Sequence, residues 1–359
     1  MKKKDKKKFK RQDIKLTNTD ISDLDEYLEE DFAPQKQAEK KKLKKGIKSQ
    51  KSDLKLINGR VYEIYSNYKC LVNFGDKSDI CHIGGRLKHL KHETRNIVAL
   101  GDRVKVDISD ENRIEEIIER KNSLVRYSED SFQKEIIIAA NIDNVIIMVS
   151  CREPELNLGL VDRFICATRL CNIPPVICIN KIDLIKKRKL IQREADYYKK
   201  YGIQVLMSSA KTGEGLKELE VILKDMDSVF VGHSGVGKSS LINLLQPGLN
   251  LKVAKVNEYT GKGIHTTTKG KIIPWKFGGN LIDTPGIKTL TLHEESKSDI
   301  KYVFPGINEL SEKCKYPNCS HIHETNCAVK EAVEKSLFDR NRYESYLRIM
   351  ESFTGVNYE

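Results

Sequence analysis

Residues 232–240 read GHSGVGKSS, directly after the apolar run Val229–Val231 and overlapping the helix-like SSLINLL. The spacing fits G-x-x-x-x-G-K-S, a pattern that works only between a strand and a helix, so it calls for an α/β domain. Gly232, Gly235 and Gly237 permit the backbone angles that turn successive N–H groups, from His233 and Ser234 through Val236 to Ser240, toward one point. A helix starting at Lys238 aims its positive end at the same point, which suits a phosphate. Lys238 would reach the outer phosphates, and the Ser239 hydroxyl is a hard oxygen ligand of the kind Mg2+ requires.

Around this loop, strand-like and helix-like runs alternate. NVIIMVS, PVICIN, QVLMSS and SVFVG are separated by helical patterns near 160–170, 184–201 and 216–224, and KIIPWKF and NLID close the series. This predicts a mostly parallel sheet with helices on both faces and a ligand crevice at the carboxyl ends of the strands. Asn180-Lys181-Ile182-Asp183 ends PVICIN, where a carboxylate can accept from both the N1–H and the amino group of guanine. Adenine offers no such pair of donors, so the wrong base would leave a buried acid unsatisfied. Ser208-Ser209-Ala210-Lys211 ends QVLMSS and places backbone N–H groups for the guanine O6. Asp283-Thr284-Pro285-Gly286 ends NLID, with Asp283 expected to hold a water on Mg2+ and the Gly286 N–H to meet the γ-phosphate. Between these and the phosphate loop, the polar stretch Gly263-Ile264-His265-Thr266-Thr267-Thr268 reads as a switch in which Thr267 completes the Mg2+ shell. Ile287 stands where many GTPases place a water-positioning Gln, and His265 is the candidate catalytic residue in its stead.

Upstream, residues 58–122 carry five short alternating runs, VYEIY, KCLVNF, SDICHI, DRVKVDI and RIEEII, separated by turn signals. They predict a small closed barrel of the oligonucleotide-binding type, with an SH3-like barrel as the rival. Lys88, His89, Lys91, His92 and Arg95 are expected in one long basic loop, and Tyr62, Tyr65, Tyr68 and Phe74 are candidate stacking surfaces. Residues 1–57 hold 18 Lys and Arg against 11 Asp and Glu, so +7 of the net +12 lies there. Blocks of charge with few apolar residues predict disorder and a polyanionic partner, nucleic acid ahead of membrane.

Of nine cysteines, six are scattered among apolar residues and three cluster at 314, 319 and 327, an odd and uneven set that argues against a disulfide framework. With no apolar run near the roughly 20 residues of a membrane helix, a reducing cytoplasm is expected. Cys314, Cys319 and Cys327, with His321 or His323, offer three thiolates and an imidazole to one tetrahedral, structural zinc. Residues 328–350 then read as helices packed on that knuckle.

The base motifs precede the phosphate loop in the chain, whereas an ordinary GTPase has them after it. A sheet survives such circular permutation because its strands and crevice stay in place. In this joint order of motifs the chain resembles the bacterial circularly permuted GTPases known as RsgA or YjeQ, over about residues 58–340. The resemblance implies the catalytic role of His265 and a zinc set of Cys314, Cys319, His321 and Cys327 with His323 spare. It also implies binding to the small (30S) ribosomal subunit and its rRNA, and GTP hydrolysis stimulated by that subunit late in its maturation. The expected architecture is a Lys-rich extension (1–57), an OB-fold barrel (58–122), a permuted GTPase domain (123–292) and a zinc-binding helical domain (293–359), acting as a monomer away from membranes. A GTP-sensing RNA-binding scaffold with negligible catalysis and a metabolic P-loop kinase are the rival readings; NKID and the Thr switch count against the kinase.

Overall fold

The computed structural model describes residues 55–353 apart from 67, 90–93, 110, 128–134, 250, 252–269, 285–289 and 291. Nearly all of the Lys-rich extension lies outside the described residues, as do His265, Thr267, Gly286 and Ile287.

The expected five strands are β1 (Leu56–Ser66), β2 (Lys69–Asn73), β3 (Ser78–Ile83), β4 (Arg103–Asp107) and β5 (Arg113–Ile117). β1 is long enough to pair with β4 through Leu56–Arg60 and with β2 beyond it. β2 continues to β3, β3 to β5 in parallel, and β5 to β4, which closes the circuit as a barrel. Alternate residues point inward, so Val61, Cys70, Val72, Cys81, Val104, Val106 and Ile114 fill it. The basic loop differs from expectation. Lys88 and His89 lie on a short helix α1 (Gly85–His89), because Leu87 is buried and draws that turn onto the barrel, while Lys91 and His92 lie outside the described residues. Tyr62 packs toward the neighbouring sheet and Phe74 against the barrel core, leaving Tyr65 and Tyr68 as the exposed rings.

A hairpin that the sequence did not announce, β6 (Ser123–Tyr127) with β7 (Glu135–Ala140), leads into the nucleotide domain. There β8 (Asn144–Ser150), β9 (Pro175–Asn180), β10 (Gln204–Met207), β11 (Asp227–Val231) and β13 (Asn280–Asp283) run parallel, and β12 (Lys271–Pro274) antiparallel, in the order β10-β9-β8-β11-β13-β12. Every residue of β8 and β9 is buried, as a strand covered on both faces requires. Ile147, Val149, Ile177 and Ile179 meet α2 (Leu158–Leu170) and α3 (Lys189–Lys200) on one face. Ile146, Met148, Val176 and Cys178 meet α4 (Leu216–Leu223) and α5 (Lys238–Leu245) on the other. The barrel joins this sheet where Glu63 of β1 pairs with Lys271 of β12, flanked by an Arg60–Asp227 ion pair at 2.7 Å.

Four short helices end the described chain: α6 (Ile300–Val303), α7 (Ile307–Ser311), α8 (Ala328–Glu334) and α9 (Arg340–Glu351). Asp339 caps α9 by accepting from the Asn341 and Arg342 N–H groups. Their core, including Phe304, Val329, Tyr346 and Ile349, extends onto Cys166 of α2. No helix among the described residues is long and apolar enough to cross a membrane.

Candidate nucleotide site and metal-ligand cluster

The carboxyl ends of β9, β10, β11 and β13 bring together the motifs that the sequence separates. Asn180 is fully buried at the end of β9 and works in two directions. Its amide donates to the Val236 carbonyl in the phosphate loop at 2.9 Å, while its carbonyl oxygen accepts from the Ala210 N–H at 3.2 Å and the Ser208 hydroxyl at 3.3 Å. Lys181 follows in the left-handed region and Ile182 is buried, which turns Asp183 outward at the start of a single 3₁₀ turn. The Ser209 hydroxyl donates to the Asp183 carboxylate at 2.6 Å and accepts from the Lys211 and Thr212 N–H groups. The Asp183 carboxylate is therefore oriented by the turn that follows β10.

In the phosphate loop, His233 and Ser234 are exposed and Val236 is buried. Gly232 has φ +141 and a Cβ there would lie 2.2 Å from the Met148 carbonyl oxygen. At Gly237, φ +93, a Cβ would lie 2.3 Å from the Asn180 amide nitrogen. These two glycines are demanded by close approach as well as by angle. Lys238, first residue of α5, donates from Nζ to the Gly232 carbonyl and to the His233 carbonyl at 3.0 Å, folding its ammonium back over the loop. Ser239 and Ser240 are half-buried beside it.

Across the crevice, burial raises the Asp283 carboxyl above the usual range, and Lys271 opposite it pulls the other way. Asp283 Oδ2 and Thr284 Oγ1 are both buried and find no hydrogen-bond partner among the described residues. Two unsatisfied oxygens beside a phosphate cradle fit a hydrated hard cation such as Mg2+.

The second cluster is Cys314, Cys319, His321 and Cys327, whose ligand atoms all lie within 4.8 Å of one another; His323 is not part of it. His321 Nδ1 is 3.5 Å from the Cys314 sulfur and 3.4 Å from that of Cys327, and the two sulfurs are 3.9 Å apart. A tetrahedral ion with bonds of about 2.3 Å to sulfur and about 2.0 Å to nitrogen needs edges of roughly 3.8 and 3.5 Å, so the donor set fits a metal. Burial pushes the Cys319 thiol up to about 12, with Cys327 and Cys314 adding to the shift.

Sequence reasoning missed what surrounds these ligands. Burial alone would raise Glu324, but the Ser320 and Ile322 N–H groups at 2.6 and 3.2 Å hold it down at about 2, fixing the backbone on both sides of His321. The hydroxyls of Tyr343 and Tyr346 on α9 donate to the His321 and Ser320 carbonyls at 2.7 and 2.9 Å. Behind them Arg342, 2% exposed, pairs with the fully buried Asp162 of α2, with Glu194 and with the Tyr198 hydroxyl on α3. An Arg in a charged helix gives no signal of such burial. Asp162, which follows the apolar Leu160 and Val161 on α2, was the available hint.

A parallel sheet with a phosphate loop at β11, a guanine-reading motif on the preceding β9 and β10, and the Asp283 strand β13 beyond defines a circularly permuted P-loop GTPase. A family model described as RsgA GTPase matches residues 117–293. The small ribosomal subunit biogenesis GTPase RsgA of Caldanaerobacter subterraneus subsp. tengcongensis is 40% identical over 263 residues, 72% of this chain and 85% of that protein. Its namesake from Flavobacterium psychrophilum is 36% identical over 303 residues, 82% of this chain and 93% of that one. The crystal structure of YjeQ from Thermotoga maritima superposes with a TM-score of 0.67 at 30% identity, covering 84% of this chain and all of that one. The structure of YloQ, titled a circularly permuted GTPase, gives 0.62 at 28% identity over 87% of this chain and all of that one. The chain belongs to the RsgA GTPase family.

Proposed function

We propose that this chain hydrolyses GTP to GDP and phosphate in a cycle stimulated by the small (30S) ribosomal subunit, contacts that subunit's rRNA, and acts late in its maturation. The names of its relatives carry that role. The observation that supports it most directly is the Asn180 amide, which ties the base reader to the phosphate loop through Val236. In this reading one crevice holds a guanine at one end and a polyphosphate at the other.

In this reading Asp183, turned by Ser209, accepts from the guanine edge, and Asn180, Lys181, Ile182 and Ala210 complete the pocket. Gly232–Ser240 cradle the phosphates through backbone N–H groups. Lys238 exchanges the Gly232 and His233 carbonyls for outer phosphate oxygens, trading neutral acceptors for charged ones. Ser239 and Asp283 would hold Mg2+, which would neutralise charge on the phosphates when bound. Thr267, Gly286 and His265 take the roles expected of them from sequence. Because Ile287 cannot orient water, that task falls to His265, assisted by the subunit.

The Cys3His cluster takes zinc, since three thiolates and an imidazole with four positions filled make a closed structural site. Tyr65 and Tyr68, with Lys88 lying 4.6 Å over the Tyr68 ring, give the barrel its surface for RNA. The protein works as a cytoplasmic monomer.

Competition of GTP and ATP for the purified chain tests the base reading. GTP should win, and Asp183→Asn should cost its GTP affinity tenfold or more, about 1.4 kcal/mol. Preference for ATP would end the proposal. Turnover measured with and without small subunits tests the partner, and equal rates would remove it.

A further inference from the structure

Glu63, Lys271 and Asp283 stand in one row across three adjacent strands. Glu63 of β1 is the register partner of Lys271 in β12, and Lys271 is the register partner of Asp283 in β13. Residues directly opposite one another in paired strands project from the same face. Their neighbours identify that face. Tyr62, Ile64, Ile272 and Ile282 pack with the helices α2 and α3, while Ile273 and Leu281, two positions from Lys271 and Asp283, pack with α4 and α5. The row therefore lies on the side from which α5 presents the phosphate loop.

Lys271 is half-buried, with Glu63 of the barrel as its register partner on one side and Asp283 of the cleft on the other. At the cleft end, Lys271 is the charge that opposes the effect of burial on Asp283, and Asp283 Oδ2 has no hydrogen-bond partner. At the barrel end, Glu63 accepts a hydrogen bond from the hydroxyl of Tyr65, a ring 37% exposed on the barrel surface. Lys271 thus stands in the row between the cleft strand and a barrel strand that carries an exposed ring.

We propose that Lys271 is a positioning residue for Mg2+–nucleotide binding, compensating the buried Asp283 carboxylate and passing to it the state of the Glu63–Tyr65 pair on the barrel. The inference rests on the guanine-nucleotide reading above. It is electrostatic and needs no large motion: a barrel ligand that draws Glu63 or Tyr65 away alters how Lys271 is shared between two acids.

The test is a Mg2+ titration of the full chain with a fluorescently labelled, non-hydrolysable GTP analogue, alongside its affinity in excess EDTA. Lys271→Met should raise the Mg2+ concentration for half-maximal binding about fivefold while leaving the EDTA value unchanged, and Lys271→Arg should restore it. Glu63→Gln and Tyr65→Phe should shift the same quantity in the Lys271 protein and not in the Lys271→Met protein. An unchanged Mg2+ requirement in Lys271→Met, an equal loss in EDTA, or failure of Arg to restore would overturn the role of Lys271. If Lys271→Met does not fold, the Glu63→Gln and Lys271→Arg proteins still decide, since no shift in the first would overturn the coupling. Absence of Mg2+-dependent GTP-analogue binding in the unmutated chain would instead overturn the guanine-nucleotide reading, and this inference with it.

Discussion

The barrel of β1–β5 and the helices α6–α9 are both attached to the nucleotide sheet, but they obtain their cohesion from different sources. The barrel closes on its own apolar residues, from Val61 to Ile114, and meets the sheet through the Glu63–Lys271 rung, the Arg60–Asp227 pair and the outward side chains Tyr62 and Ile64, while the Asn96 amide brackets Ile137 of the β6–β7 hairpin. The C-terminal core includes Cys319 and Cys327 from the metal cluster and Cys166 from α2. It also rests on Arg342, whose guanidinium hydrogen-bonds to residues of α2 and α3. A small apolar core can be self-sufficient when strands close a circuit; helices of four to twelve residues cannot close one, so metal and neighbour complete it.

The contrast is most exposed to metal removal. Chelation should forfeit a binding term on the order of 10 kcal/mol and strip hydrogen-exchange protection from residues 300–353 while the barrel keeps its own. Loss of protection in both regions together would erase the distinction. Next in size is Arg342→Ala, which leaves Asp162 buried without its counter-charge and should cost about 3–5 kcal/mol in denaturant unfolding. Replacing Arg342 and Asp162 together with apolar residues should recover most of that, because the unpaired charge is then gone. Smallest is Arg60→Ala at the barrel seam, where the paired side chains keep 20% and 17% of their exposure and about 1 kcal/mol is expected from the same measurement. A cost as large as that of Arg342→Ala would mean the barrel is no more independent than the helices.

Much of this was legible in the chain. The five barrel strands and the β8 to β13 series have the periodicity that burial on one or both faces imposes, and GHSGVGKSS and NKID carry local backbone requirements that survive permutation. The rest depends on partners far away in sequence. The β6–β7 hairpin lay inside a region read as alternating strand and helix, since its apolar run EIIIAA has no tight turn beside it. That β1 would reach β12 is a matter of two strand edges meeting, which no local pattern encodes. Arg342 looks like any solvated residue of a polar helix until α2 and α3 are placed against it, and Lys88 and His89 look like loop until Leu87 is seen to bury.

One close approach has a further consequence. Gly237 belongs to the phosphate cradle, yet the atom a side chain would strike there is the Asn180 amide nitrogen, 2.3 Å away. A Gly237→Ala protein would therefore err in an unexpected sense: besides gripping the triphosphate poorly, it would misjudge purines, because the change displaces the floor on which Asp183 is mounted. On the proposed reading, fidelity for guanine would then be guarded partly by a residue that never meets the base.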